Sequence, residues 1–237
     1  MPVLSDILHG LLDLFFPQKC VHCRRPLAPG EQFVCTDCAI DIPFTYFNDP
    51  SDNPITKKFW GRLPLKYGFS YMYFVKNGIA QSILHELKYK GNKEIGIFFA
   101  QAMAARMQET GFSDDFDVII PVPLHPKKLQ IRGYNQAEIL AREIGTFFQK
   151  PVITNAVVRT RFNPTQTKMS REQRWENVKN LFSVVRPEKL NGKHILLVDD
   201  VLTTGSTLEA MADAIITQVK EAEFSIVTLA LAPRGTI

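Results

Sequence analysis

One stretch, residues 195–207, constrains the fold of this 237-residue chain more than any other. Four apolar residues, Ile195, Leu196, Leu197 and Val198, run straight into the paired acids Asp199 and Asp200. A turn of hydroxyls around a glycine follows (Thr203, Thr204, Gly205, Ser206, Thr207), and then a helix-spaced apolar run through Leu208, Met211, Ala212, Ile215 and Ile216. That order reads as buried strand, loop and amphipathic helix. Backbone N–H groups and hydroxyls from Thr203 to Thr207 would gather at a helix N-terminus, where the macrodipole favours an anion by about 0.3 to 2 kcal/mol. Gly205 lets the backbone close on such a ligand without a Cβ. Acids at the carboxyl end of a parallel strand stand where an open α/β sheet takes its ligands, and can accept hydrogen bonds from a ribose diol.

Over about thirteen consecutive positions these residues resemble the phosphoribosyl-pyrophosphate (PRPP) motif of type I phosphoribosyltransferases. A Walker A loop would need Gly-Lys-Ser/Thr after the turn, and a dinucleotide turn would need G-x-G-x-x-G; neither occurs here. A buried strand followed by a capped helix accounts for one acid or one cap, but not for the whole string.

The four cysteines form two C-x-x-C pairs, Cys20/Cys23 and Cys35/Cys38, separated by a short loop carrying Pro26, Pro29 and Gly30. That spacing suits a closed tetrahedral zinc site. Four thiolates leave no open position for water, so the ion would be structural, and a module this small lacks a core without it. The competing readings are two disulfides, which a reducing compartment disfavours, and metal-free cysteines in a degenerate knuckle. His22 sits inside the first pair and is expected beside the ion rather than on it.

Composition is ordinary for a globular chain, 45% hydrophobic and 22% charged, with a formal net charge of +4. So mild an excess permits contact with polyanions without requiring it. Residues 4–16 place Leu4, Ile7, Leu8, Leu11, Leu12 and Phe15 on one helical face, ended by Pro17. Asp6, His9 and Asp13 interrupt that run and no small-residue cleavage site follows, so it reads neither as a signal peptide nor as a membrane span. The face is expected to pack on its own protein or on a second copy, and the protein is expected in the cytoplasm.

Residues 41–64 carry Pro43, Pro50, Pro54 and Pro64 without periodicity and read as a linker anchored by Phe44, Tyr46, Phe47, Phe59 and Trp60. Strands are expected over 69–75, 116–122, 182–185, 194–198 and 224–231. Helices are expected over 79–89, from 93 to about 108, and over 135–148. Alternating strands and helices imply a mostly parallel sheet covered on both faces.

Two basic segments stand between these elements. Residues 123–134 hold His125, Lys127, Lys128 and Arg132 with no acid, in the same strand-loop-helix setting as the phosphate loop. Residues 159–179 hold Arg159, Arg161, Lys168, Arg171, Arg174 and Lys179 against only Glu172 and Glu176. A run like the second is commonly a solvated face, but between two strands it is placed to cover a ligand. Lys88, Tyr89 and Lys90 before Gly91 form a smaller basic turn, readable as a phosphate contact or as a solvated helix end.

The order of parts (apolar helix, paired cysteine knuckles, IIPVPLHPKKLQIRGYNQA, RTRFNPTQTKMSREQRWENV, then the PRPP-type loop) resembles the ComF family over nearly the whole chain. These are competence-associated, amidophosphoribosyltransferase-like proteins that include GntX-type members. The resemblance implies an α/β, mostly parallel twisted sheet flanked by helices, the type I phosphoribosyltransferase fold, with a small N-terminal four-cysteine zinc module. The boundary is expected between residues 1–55 and 56–237. It further implies PRPP bound by Asp199, Asp200, Thr203, Thr204, Gly205, Ser206 and Thr207, with Mg²⁺ on the diphosphate and ribose hydroxyls. Lys127, Lys128 and Arg132 would meet the diphosphate, and Arg161, Arg171 and Arg174 would extend a surface for diphosphate or polyanion. Implied partners are the competence machinery and single-stranded DNA, the latter as the ligand of a non-catalytic alternative. Purine-salvage transferases carry an aspartate where this chain has Thr203, so the usual base toward a purine is missing.

Overall fold

The computed structural model describes residues 17–160 and 181–233. The apolar segment at 4–16 and Arg161, Arg171 and Arg174 lie outside them. Four strands, β1 (Leu65–Tyr73), β2 (Val118–Pro121), β5 (His194–Leu202) and β6 (Glu223–Leu231), form one sheet in the order β1-β6-β5-β2. Every pairing in it is parallel. A separate antiparallel pair joins β3 (Val157–Arg159) to β4 (Phe182–Val184).

The alternation of side chains along a strand divides the core in two. On one face Leu196, Val198, Val227 and Leu229 pack with helices α3 (Ile79–Tyr89), α4 (Lys93–Glu109) and α6 (Gln136–Phe148). On the other, Ile195, Leu197, Phe224 and Ile226 meet helices α2 (Pro54–Phe59) and α7 (Ser206–Ile216) together with the β3–β4 pair. Strands covered on both faces read as the continuous apolar runs seen in the sequence.

The cysteine segment, with its short helix α1 (Thr36–Ile40), joins the first of these cores. Phe33 meets Phe98 of α4 at 5.5 Å between ring centroids, and His22 Nδ1 lies 3.0 Å from Ser82 Oγ of α3.

Three expectations need revision. The proline-rich stretch 41–64 is not wholly a linker. Asn53 caps α2 by accepting from the Ile55 and Thr56 amides, while Thr56 reciprocates, and Pro54 fills the first helical turn where no N–H is needed. The basic loop 123–134 contains the two-turn helix α5 (Pro126–Arg132), started by His125 accepting from the Lys127 amide and ended by Gly133 at φ +77°. Strand β5 runs four residues beyond Val198. Its pairing with β2 ends at Val198, whereas its pairing with β6 continues to Leu202.

Candidate functional site

That uneven ending builds the site. Because β2 stops first, Asp199 and Asp200 have a neighbouring strand on the β6 side only, and the Lys128 charge on α5 acts on Asp200. Asn135 ties the chain after β2 to α6 by donating from Nδ2 to the Val122 carbonyl at 2.9 Å while accepting from the Ala137 amide as the cap of α6.

The two acids are unequal. Asp200 is buried and pairs with Lys88 of α3, Nζ to Oδ1 at 2.7 Å. Burial pushes the Asp199 carboxyl up to about 7, and the Asp200 charge adds to the effect. Its Oδ1 accepts from the Asp200 amide at 2.8 Å, and this bond, with the charges of Lys88 and Arg159, pulls the other way.

Cations gather around these acids. Burial pushes the Lys128 ammonium down, and the charges of Arg159, Arg132 and Lys88 push it the same way while Asp200 opposes them. Arg159 is likewise lowered by burial and partly restored by Asp199. Three cations, Lys88, Lys128 and Arg159, thus act on two acids, one of which resists ionisation below neutrality, and Arg132 adds its charge beside Lys128. Arg132 is oriented by Gln136 Oε1 at 2.9 Å and by the ring of Tyr89, 5.3 Å from its guanidinium. Lys127 is on the exposed side of α5.

The phosphate loop follows directly. Gly205 adopts φ +86°, a left-handed conformation suited to glycine, and α7 begins at the next residue. Thr204 Oγ1 lies 3.1 Å from Ser206 Oγ, so the hydroxyls cluster over the first turn of an eleven-residue helix. Successive amides at such a terminus form an anion-binding concavity. The loop is backed by α2: Lys58 Nζ donates to the Thr203 carbonyl, and the buried Phe59 ring lies under Gly205.

The structure therefore brings Asp199, Asp200, Thr203 to Thr207, Lys128 and Arg132 to one end of the sheet, with Lys127 on the adjoining helix. Sequence reasoning left Lys88 undecided and omitted Lys58, Phe59 and Arg159 from the site. Arg159 had a signal, since it opens the basic run. Lys58 and Phe59 had none beyond lying in an aromatic, proline-rich stretch.

At the other end of the chain, the Sγ atoms of Cys20, Cys23, Cys35 and Cys38 all lie within 4.8 Å of one another, and those of Cys23 and Cys35 are 3.6 Å apart. Thiolates bound at about 2.3 Å to one tetrahedral ion stand roughly 3.8 Å apart, so the donor set fits a metal such as zinc. Cys20, Cys35 and Cys38 are buried and Cys23 is exposed. Arg25, which donates to Cys35 Sγ at 3.9 Å and to Asp37 at 2.6 Å, holds the neighbouring Cys23 thiol down to about 6.

The phosphoribosyl transferase domain family matches residues 92–237, more than half of the chain. The chain belongs to that family. Its relatives by sequence support the resemblance to ComF proteins. DNA utilization protein YhgH of Shigella flexneri is 29% identical over 221 residues, covering 86% of this chain and 92% of that protein. Competence protein F of Haemophilus influenzae is 28% identical over 207 residues, covering 84% and 90%. Among solved structures, a purine phosphoribosyltransferase from Pyrococcus horikoshii aligns with TM-score 0.36 and 21% identity over 62% of this chain and 77% of that one. No helix among the described residues of this transferase-family chain is long and apolar enough to cross a membrane.

Proposed function

We propose that this protein binds PRPP across the carboxyl ends of β5 and β2 and transfers its phosphoribosyl group to an acceptor in the service of DNA uptake, working in the cytoplasm. The observation carrying this reading is the charge arrangement: Lys88, Lys128, Arg132 and Arg159 outnumber Asp199 and Asp200 immediately beside an anion nest. A ligand with a sugar diol between two phosphoryl groups meets every part of it.

Asp199 and Asp200 accept hydrogen bonds from the ribose hydroxyls, and the amides and hydroxyls of Thr203 to Thr207 hold the 5′-phosphate. Arg132, with Lys127 or Lys128, neutralises the diphosphate as it departs from the anomeric carbon and the acceptor's nucleophile bonds there. Mg²⁺ would enter with PRPP beside the oxygen-rich pair Asp199 and Asp200 and would supply charge neutralisation there. Zinc would be held by Cys20, Cys23, Cys35 and Cys38 and would order the N-terminal module, which packs on α3 and α4 through His22 and Phe33. We take residues 1–55 as that module and 56–237 as the transferase domain.

A second reading keeps the fold and uses the same cations on single-stranded DNA. The excess of cations over acids favours it too, as do the names of the DNA-utilisation and competence relatives. Calorimetric titration of one sample with PRPP and Mg²⁺, and separately with single-stranded DNA, distinguishes the two. DNA binding should weaken with salt, log K falling by about 0.7 per phosphate neutralised for each unit of log salt. Replacing Arg161, Arg171 and Arg174 together should then abolish the DNA titration if the basic run carries it and the PRPP titration if it closes on PRPP. If both survive with unchanged salt slopes, the run is only a solvated face.

A further inference from the structure

Residues 58–62 precede the segment matched by the transferase family, yet three of them touch the phosphate loop or the helix it opens. Lys58 Nζ donates to the Thr203 carbonyl at the loop's entrance. Phe59, fully buried, lies so close beneath the turn that a Cβ on Gly205 would fall 2.7 Å from its ring. Arg62 pairs with Glu209 in the first turn of α7 at 2.6 Å and donates to the Lys58 carbonyl as well.

Each contact has a consequence for anion binding. A nest works only if its amides face the ligand and its carbonyls face away, since a carbonyl oxygen turned inward repels phosphate. The ammonium on Thr203 fixes one such carbonyl and brings a positive charge to the loop. The Phe59 ring fills the space behind Gly205, so the left-handed turn rests on a rigid wall. The Arg62 pair ties that wall to α7, whose N-terminus forms the nest.

We propose that Lys58, Phe59 and Arg62 are positioning residues that clamp the Thr203-to-Thr207 turn in its phosphate-binding shape. The phosphoribosyl site is then completed by residues that precede the matched segment 92–237. This inference rests on the PRPP reading for the identity of the ligand, but not for the state of the loop.

The test uses the full chain as wild type, Lys58→Met, Lys58→Arg and Arg62→Ala. Three readouts are taken: thermal unfolding, hydrogen exchange of the amides at 204–207, and titration with PRPP and Mg²⁺. Lys58→Met should leave the unfolding temperature nearly unchanged, speed exchange in the loop, and weaken PRPP binding by about tenfold or more, the scale of one charge-assisted hydrogen bond. Lys58→Arg should restore exchange and affinity, and Arg62→Ala should give a smaller change in the same direction. If loop exchange in Lys58→Met matches wild type, the clamp is overturned whatever the ligand. If exchange quickens but no form binds PRPP, the clamp stands and the PRPP reading falls. If exchange quickens while PRPP binds equally to all four, the loop's shape does not govern binding and the positioning role is overturned.

Discussion

Lys88 Nζ lies 2.7 Å from Asp200 Oδ1, with the two side chains only 18% and 12% exposed. Lys88 occupies the last turn of α3, where the helix dipole favours a cation, and Asp200 sits where β5 has outrun its neighbour β2. The pair joins helix to sheet across the opening of the site. Removing one partner of a well-buried pair costs about 3–5 kcal/mol. Because some solvent reaches this one, Lys88→Met should cost about 1–3 kcal/mol. Denaturant unfolding checks this, and Lys88→Met combined with Asp200→Asn should recover part of the loss. A double-variant loss equal to the sum of the Lys88→Met and Asp200→Asn losses would mean that the pair is not coupled.

Asp199 predicts a pH signature. Its folded-state pKa is raised from 3.8 to about 7, so between these values the folded chain keeps a proton that the unfolded chain releases. Stability from this group is therefore full below about pH 4, falls as pH rises toward 7, and is level above that. Burial lowers the His194 pKa, which works in the opposite direction near pH 6, so the useful quantity is the difference between variant and parent. Asp199→Asn should be nearly neutral near pH 4 and stabilising at pH 8, by roughly 2–4 °C for each kcal/mol gained. A difference that does not change with pH would contradict the raised pKa.

Gly205 should tolerate no side chain. Its φ of +86° strains any other residue, and an alanine Cβ would collide with Phe59. Gly205→Ala is expected to cost about 1–3 kcal/mol from the backbone alone, with the collision adding to it. Phe59→Leu in the same chain should relieve the second part. A double-mutant cycle reads this as coupling of about 0.5–3 kcal/mol, and simple additivity would show that the ring does not meet the turn.

The four cysteines should retain one zinc per chain through an unchelated purification, and Cys35→Ser should lose it. Elemental analysis checks both. Since the module packs through Phe33 on Phe98 and through His22 on Ser82, zinc loss should also loosen α3 and α4, read as faster hydrogen exchange there. Well under one zinc in the parent chain would remove the metal from this account.

The parts of the fold legible in the sequence were those with strong local patterns. Helix α3 falls at residues 79–89 as its apolar spacing predicts, and the run ending at Val198 is a strand buried on both faces. Helices α2 and α5 were missed because six and seven residues are too few for periodicity to register. Their caps, Asn53 with Thr56 and His125 with Gly133, were visible only as polar residues among prolines and lysines. In the site, the PRPP-type loop and the paired acids were readable because consecutive residues carry the chemistry. Lys88, Arg159, Lys58 and Phe59 reach it through packing from distant segments, and no spacing along the chain encodes that meeting.

The most direct measurement is calorimetric titration of PRPP with Mg²⁺ into wild type and into Asp199→Asn/Asp200→Asn. Both chains are first checked for the same cooperative unfolding. The substitutions keep shape but remove both carboxylates, so the ribose loses its charged acceptors while the nest stays. Saturable binding by wild type, weakened about a hundredfold or more in the double variant, is the result predicted, since two charge-assisted hydrogen bonds contribute about 3–6 kcal/mol. Absence of binding by wild type, or equal affinity in the two chains, would contradict the assignment of this site to PRPP.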